Sequence, residues 1–290
     1  MENRGEKRGE HARPRGTRDR FSIKLFLGDG LPEETIVLSR QKWNAALFHK
    51  TLAELVGASS GDKVLDLGCG SGASLGPLLD RVGVDGVVHG LDKMTGSLET
   101  AAANHAAAME AGRLRLSQGD VSHPPFPDGF FDAVVCQNVV ECVYDRAGLV
   151  TQARRILKPG GRLLLGHHDF DGIILAADDR DLTRRLVHSF ADFKQAWQDE
   201  AEGRMGRLIP GLVANAGFAS IELETRIFVD LDLSEGSYAR DYVGWLVDMA
   251  PTLGFAPEEV ANWRLGLEAA CSEGRFFFGL PWIGAICRGS

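Results

Sequence analysis

The sequence predicts an α/β fold: a doubly wound, mostly parallel sheet with helices on both faces and helical insertions forming a lid. Three observations carry this. Between about residues 60 and 170, short strands rich in leucine or β-branched residues alternate with helical segments, which implies parallel strands joined by crossovers. One apolar strand runs directly into the glycine-rich turn Gly68-Cys69-Gly70-Ser71-Gly72 ahead of a helix. The last strands follow long helical stretches, which makes those stretches insertions.

In chain order, a helical pattern spans Gln41–Val56, with Trp43, Leu47, Phe48, Leu52, Leu55 and Val56 on one side. Lys63–Leu67, Val87–Leu91, Leu114–Ser117, Phe131–Cys136 and Arg162–Gly166 read as strands bounded by glycine, proline and aspartate. Between them, Ser74–Val82 is helical. Thr95–Ala111 is alanine-rich and stops at Gly112, and Asp145–Leu157 opens on a capping aspartate and ends at Lys158-Pro159-Gly160-Gly161. The second half is less regular. It holds helical stretches at about 172–201, Gly206–Asn215 and within 236–271, and strands at Ile221–Val229 and near Trp282–Cys287, seven strands in all. The expected organisation is a tail at 1–20 and one domain at 21–290, its core at about 60–170 and its lid at about 172–205 and 234–275.

Composition narrows the function classes. With 290 residues and 44% hydrophobic content, the chain can bury a substantial core. The net charge of −8 hides an asymmetry: residues 1–20 carry seven Lys/Arg against four Asp/Glu, which leaves the remainder near −11. An acidic body lacks the footprint of a phosphate-backbone binder, so no nucleic-acid partner is expected. The basic tail reads as a solvated, disordered segment. Cys69, Cys136, Cys142, Cys271 and Cys287 show no disulfide or zinc spacing and suit a reducing cytoplasm. No run long enough to span a bilayer is present, so neither a membrane partner nor a membrane location is expected.

The chemistry concentrates at strand ends. The first strand, Val64-Leu65-Asp66-Leu67, leads into Gly68, Gly70 and Gly72, which let the backbone turn sharply and approach a ligand closely. Gly68, Gly70 and Ala73 also satisfy the dinucleotide pattern, so a nicotinamide or flavin enzyme stays open. Asp66 weighs against it, because a carboxylate there suits a cationic amino group and repels a pyrophosphate.

This segment resembles motif I of class I S-adenosylmethionine (SAM)-dependent methyltransferases, and the similarity continues through roughly residues 60–170. The resemblance implies a Rossmann-like sheet and SAM as cofactor, with S-adenosylhomocysteine (SAH) as its product. It places Asp66, Gly68, Gly70 and Gly72 along the methionine and ribose part. Asp92, 20 residues after Gly72 at the end of the second strand, would accept from the ribose hydroxyls. Met94 would pack on the adenine face, Asp120 would accept from the adenine amino group, and Val121 N–H would donate to the ring. Asp132 to Asn138 resembles the family's fourth strand, with Gln137 and Asn138 at its ligand-binding end. Arg154 to Leu163 is similar to the turn into strand five.

Methyl transfer is an in-line displacement that asks chiefly for alignment and exclusion of water. Strand five ends in Gly166-His167-His168-Asp169-Phe170-Asp171, the most titratable cluster in the chain. His167 is the expected base or orienting residue, Asp169 its partner, and His168 the substitute, since adjacent residues point different ways. No metal is expected there. Glu141 reads as a helix-turn residue. An aromatic stripe in the lid, from Phe190, Trp197, Tyr238, Tyr242, Trp245 and Trp263 to Phe276, Phe278 and Trp282, suits a flat aromatic or heteroaromatic small-molecule acceptor. Two stretches, Met205–Leu212 and Gly274–Phe278, are similar to methyltransferases of bacterial secondary metabolism. The methylated atom (O, N or C) and the oligomeric state, a homodimer included, stay open. So do three rival readings: an RNA or protein methyltransferase, a non-catalytic SAM-binding protein, and the nicotinamide enzyme.

Overall fold

The computed structural model of the protein describes residues 45–290, so the tail at 1–20, the expected domain start at 21 and Trp43 lie outside the described residues. Helix α1 (Ala45–Leu55) precedes β1 (Lys63–Leu67), α2 (Leu75–Val82), β2 (Val87–Asp92), α3 (Thr95–Asn104), α4 (Ala106–Glu110) and β3 (Leu114–Gln118). There follow β4 (Phe131–Gln137), α5 (Arg146–Ile156), β5 (Leu157–His168), β6 (Ile174–Leu175), α6 (Arg180–Ala191) and α7 (Met205–Ala214). The described chain closes with β7 (Ser220–Asp230), α8 (Tyr238–Met249), α9 (Pro257–Ser272) and β8 (Phe278–Arg288).

The sheet runs β3-β2-β1-β4-β5-β8-β6, with β7 on the other side of β8. The first five strands are parallel and β8 is antiparallel to β5. All seven expected strands form, and the two-residue β6 joins them as an eighth. The strand order reverses between β1 and β4, and at such a switch point the flanking loops part and leave a crevice at the carboxyl ends.

Period-two alternation assigns the core. Leu65 and Leu67 of β1, Val134 and Cys136 of β4, and Leu163 and Leu165 of β5 pack with α5 and α7 on one face. Val64, Ala133, Val135 and Leu164 pack with α1 and α2 on the other. Each fully buried leucine contributes about 1.5–3 kcal/mol. A third cluster joins α6, α8 and α9 to Phe276, Phe278 and Leu280.

Four segments differ from expectation. The stretch expected to be helical over about 172–201 is helical only at α6, because Ile174 and Leu175 pair with β8 as β6 and the chain after Ala191 runs in turns. The helix expected over Thr95–Ala111 breaks at His105 (φ −124°, ψ 27°), whose ring turns to the Gly72 carbonyl, Nε2 to O 2.9 Å. Strand β5 starts at Leu157, which pairs with Phe131 before the glycines force a register shift. Strand β8 is longer than Trp282–Cys287 because β7 pairs with it from Arg288 back to Phe278. Among the described residues no helix is long and apolar enough to cross a membrane.

Candidate active site

The turn after β1 runs through left-handed backbone at Gly68, Gly70 and Gly72, a conformation glycine adopts without strain. Gly68 has φ +84°, and a Cβ there would sit 2.3 Å from Val139 Cγ2 across the switch point. Gly70 has φ +50°, and its Cα faces open space. Its N–H donates to Asp92 Oδ2 at 2.9 Å, while Asp92 Oδ1 accepts from Met94 N–H at 2.9 Å. The carboxylate at the end of β2 therefore holds the turn after β1 in place.

Two cavities flank this turn and share Gly68, Gly70 and Asn138. The larger, about 540 Å³, is lined by Asp92, Met94, Asp120 and Val121, and also by Trp197 and Asp199 from the segment after α6. The smaller, about 290 Å³, lies toward α1 and α8, with Asp66, Gln137 and His168 joined by Phe48, His49 and Tyr238. Gly72 lines neither, since it sits behind the turn against Leu75, Ala101 and His105. Asp120 is engaged by its own loop, accepting from Ser122 N–H at 2.8 Å and lying 3.3 Å from His123 Nδ1. The Ser122 bond, ahead of the His123 ring, holds its carboxyl below the usual carboxylate range.

Asp66 is 3% exposed, and its carboxylate makes no hydrogen bond to any described residue. Burial, then the nearby Asp92 charge, pushes it up to about 7. A carboxylate on a buried residue, open only toward a cavity, is a costly place for a charge that a ligand cation would relieve.

Register decides which histidine reaches this cavity. Asp66 lies opposite Val135, and Gln137 opposite Gly166, so Asp66, Gln137 and His168 share one sheet face and His167 takes the other. His167 is fully buried, with Nδ1 2.7 Å from His168 O and Nε2 3.7 Å from Glu141 Oε2. Glu141 also accepts from Gln198 Nε2 at 2.9 Å. His167 and Glu141 thus tie β5 and the turn after β4 to the segment carrying Trp197. Asp169 is likewise architectural: it accepts from Gly172 N–H, Arg207 N–H and the Arg207 guanidinium, which pins the start of α7 to the end of β5. Of the expected trio, His168 lines the smaller of these two cavities, and His167 and Asp169 line neither.

The hydrogen-bond chain around His168 has a fixed polarity. Trp282 Nε1–H can only donate, and it does so to Gln137 Oε1 at 2.9 Å. Gln137 Nε2 then donates to Asn138 Oδ1 at 2.8 Å, which also accepts from His168 N–H at 3.0 Å. Asn138 Nδ2 is left to donate to His168 Nδ1 at 2.8 Å, so the ring carries its proton on Nε2. Burial, then the neighbouring His167 and His49, pushes His168 down to about 3 and keeps it neutral. Asn138 reaches this position with φ +52°.

The aromatic stripe divides. Tyr242, Trp263, Phe276, Phe278 and Trp282 are core, Trp263 donating to Thr183 Oγ1 at 2.9 Å, while Trp197 and Tyr238 line the cavities. The sequence reading missed His49. Its signal was its place three residues before Leu52 and seven before Val56, a polar side chain on the apolar stripe of α1.

Residues 65–165 match the family model described as a methyltransferase domain. The chain is 30% identical over 202 residues to a 37.1 kDa protein in transposon TN4556 of Streptomyces fradiae, covering 69% of this chain and 56% of that one. It is 35% identical over 114 residues to the nocamycin O-methyltransferase of Saccharothrix syringae, covering 39% and 40% of the two. With the aklanonic acid methyltransferase DauC of Streptomyces sp. strain C5 it is 35% identical over 116 residues, 39% and 51%. The chain thus spans about half the length of the curated relatives it matches. The fold is that of the YcgJ protein of Bacillus subtilis (TM-score 0.54, 19% identity, 84% of this chain and 98% of that one). It is also that of the [4+2]-cyclase SpnF (TM-score 0.53, 17% identity, 86% and 83%).

Proposed function

We propose that the chain, whose residues 65–165 match the family model of a methyltransferase domain, transfers the methyl group of SAM to a small aromatic or heteroaromatic acceptor, in the manner of natural-product methyltransferases and in the cytoplasm. The observation that carries this reading is Asp66, a buried carboxylate without a described hydrogen-bond partner, on the wall of the smaller cavity beside the glycine turn that the two cavities share. Its charge and place suit the ammonium of a methionine moiety. Asp92, reached by the backbone N–H groups of Gly70 and Met94, is placed for ribose hydroxyls, and the about 540 Å³ cavity beyond it suits adenosine.

When bound, SAM supplies an electrophilic methyl on a sulfonium and leaves as a neutral thioether. The chain's part is alignment. Gly68 and Gly70 bring backbone close to the ligand, Trp197 closes over the larger cavity, and Phe48 and Tyr238 offer flat walls to the acceptor in the smaller one. His168, neutral with its proton on Nε2, donates a hydrogen bond and does not act as a base. The nocamycin O-methyltransferase and the aklanonic acid methyltransferase among the relatives support a small-molecule acceptor.

Calorimetry with SAH tests the reading. Wild type should bind in the micromolar range, and Asp92→Ala should weaken binding by about tenfold, the roughly 1.5 kcal/mol of lost charge-assisted hydrogen bonds. A folded wild type that does not bind SAH would refute it. A second reading is a SAM-dependent fold that catalyses another reaction, since a [4+2]-cyclase shares this architecture. SAH binding with no SAH release from SAM across an acceptor panel would favour it.

A further inference from the structure

Resting on the methyl-transfer reading, we infer that His49 is the proton acceptor of the smaller cavity, and that the methyl acceptor it serves is a flat ring bearing an acidic hydroxyl. His49 stands on α1 with Nδ1 2.8 Å from Ser74 Oγ. Ser74 begins α2 but makes no side-chain capping bond, so its hydroxyl is available to accept from Nδ1–H. Nε2 makes no hydrogen bond to a described residue, and it is not among the atoms sealed from solvent, so in the inferred tautomer, with the proton on Nδ1, it turns a lone pair to the cavity that His49 lines.

The other titratable groups on this cavity are committed elsewhere. Cys69, in the turn after β1, is kept protonated by burial and then by the Asp66 and Asp92 charges. Asp66 from β1 neutralises the ligand ammonium. His168 from β5 holds its proton on Nε2 because Asn138 occupies Nδ1. Tyr238 from α8 is kept protonated by burial. His49 is the basic lone pair that remains among the described groups lining this cavity.

Burial lowers His49 below the usual histidine range, so it is neutral near pH 7 and a modest base. Such a base matches an acidic proton, a phenol or an enol, and not an aliphatic alcohol. As the oxygen–methyl bond forms and the carbon–sulfur bond breaks, its electron pair remaining on sulfur, the hydroxyl proton passes to His49 Nε2. The imidazolium then keeps Nδ1–H on Ser74 Oγ and returns the proton to water. Phe48 and Tyr238, which line the same cavity as His49, select for a planar ring.

The test uses 4-nitrophenol as probe with the SAH complex of the full chain. At about pH 6, wild type should bind the probe as its phenolate, read by its visible absorbance. His49→Gln should bind it as the neutral phenol, the apparent ionisation of the bound probe rising by at least about one pH unit, a tenfold change. His49→Asn, which keeps a donor near Ser74, should behave the same way and guards against a folding defect. Ser74→Ala should give a smaller shift. SAH affinity measured alone should be unchanged in all three. Wild type binding the neutral phenol, a phenolate retained in the His49 variants, or no probe binding to the SAH complex would each overturn the inference. Failure of SAH itself to bind wild type would instead overturn the methyl-transfer reading.

Discussion

Asp66→Asn should make the ligand-free protein more stable and the liganded protein less so. In the fold the carboxyl is pushed up to about 7, against 3.8 for the free side chain, by burial and then by Asp92. For an acid raised in this way the neutral form is favoured in the fold. The cost of ionising it is absent below pH 3.8, grows as pH rises through the window to about 7, and is complete above that. That window corresponds to about 4 kcal/mol as an upper bound. Asparagine removes this cost but leaves an unsatisfied amide worth about 1–3 kcal/mol, so at about pH 8 a net gain of about 1–3 kcal/mol is expected. For a domain of this size that is a rise of roughly 2–10 °C in Tm.

The ligand has the opposite preference. Its ammonium holds Asp66 ionised, so SAH binding below pH 7 must first remove a proton, and affinity should fall about tenfold from pH 8 to pH 6. In Asp66→Asn that slope should vanish and affinity should drop by about 1.5–3 kcal/mol, roughly 10- to 150-fold. Thermal melts with and without SAH, and calorimetry at the two pH values, measure both effects. A variant that is less stable without ligand, or that keeps the wild-type affinity and pH slope, would refute the reasoning.

Gly68→Ala should cost about 2–4 kcal/mol in urea unfolding, from left-handed strain at φ +84° and the Val139 collision; Val139→Ala in the same chain should recover only the collision. Asp169→Ala should cost about 1–3 kcal/mol, because Gly172 and Arg207 lose their acceptor while the exposed guanidinium turns to water, and should leave SAH affinity unchanged. His89 sits at the edges of Phe126, Phe130 and Phe131, where burial, then Arg115 and Lys63, pushes it down to about 4. Its neutral form is favoured in the fold, so stability is lost as pH falls from 6.5 toward 4, by about 2 kcal/mol at pH 5. His89→Phe should remove that loss and lower the acid midpoint in a pH titration followed by circular dichroism.

Much of the architecture was legible because its causes are local. Strand–helix alternation between 60 and 170 implies parallel strands, and the run from Asp66 into α2 carries glycine at the three positions, 68, 70 and 72, where the backbone is left-handed. Asp92 and Asn138 stand at carboxyl ends of β2 and β4 by their position in the chain, so the ligand-binding edge of the sheet followed from the sequence.

The second cavity was not legible, and the reason is geometric. Both faces of a parallel sheet are buried, so β5 reads as apolar on both sides, and nothing in Leu163-Leu164-Leu165-Gly166-His167-His168 says which histidine faces which layer. The pairing of Gln137 with Gly166 and of His168 with Trp282 decides it, sending His167 to Glu141 and His168 to Asp66's side. His49 lies 17 residues before Asp66 on a helix whose polar positions otherwise look solvated, and only the packing of α1 on α2 carries it to Ser74. The sequence by itself determined the sheet, the turn and the acids at its edge, since each depends on neighbours in the chain; only the tertiary structure decided which polar groups meet across the acceptor cavity, since those contacts depend on register and on helix packing between distant segments.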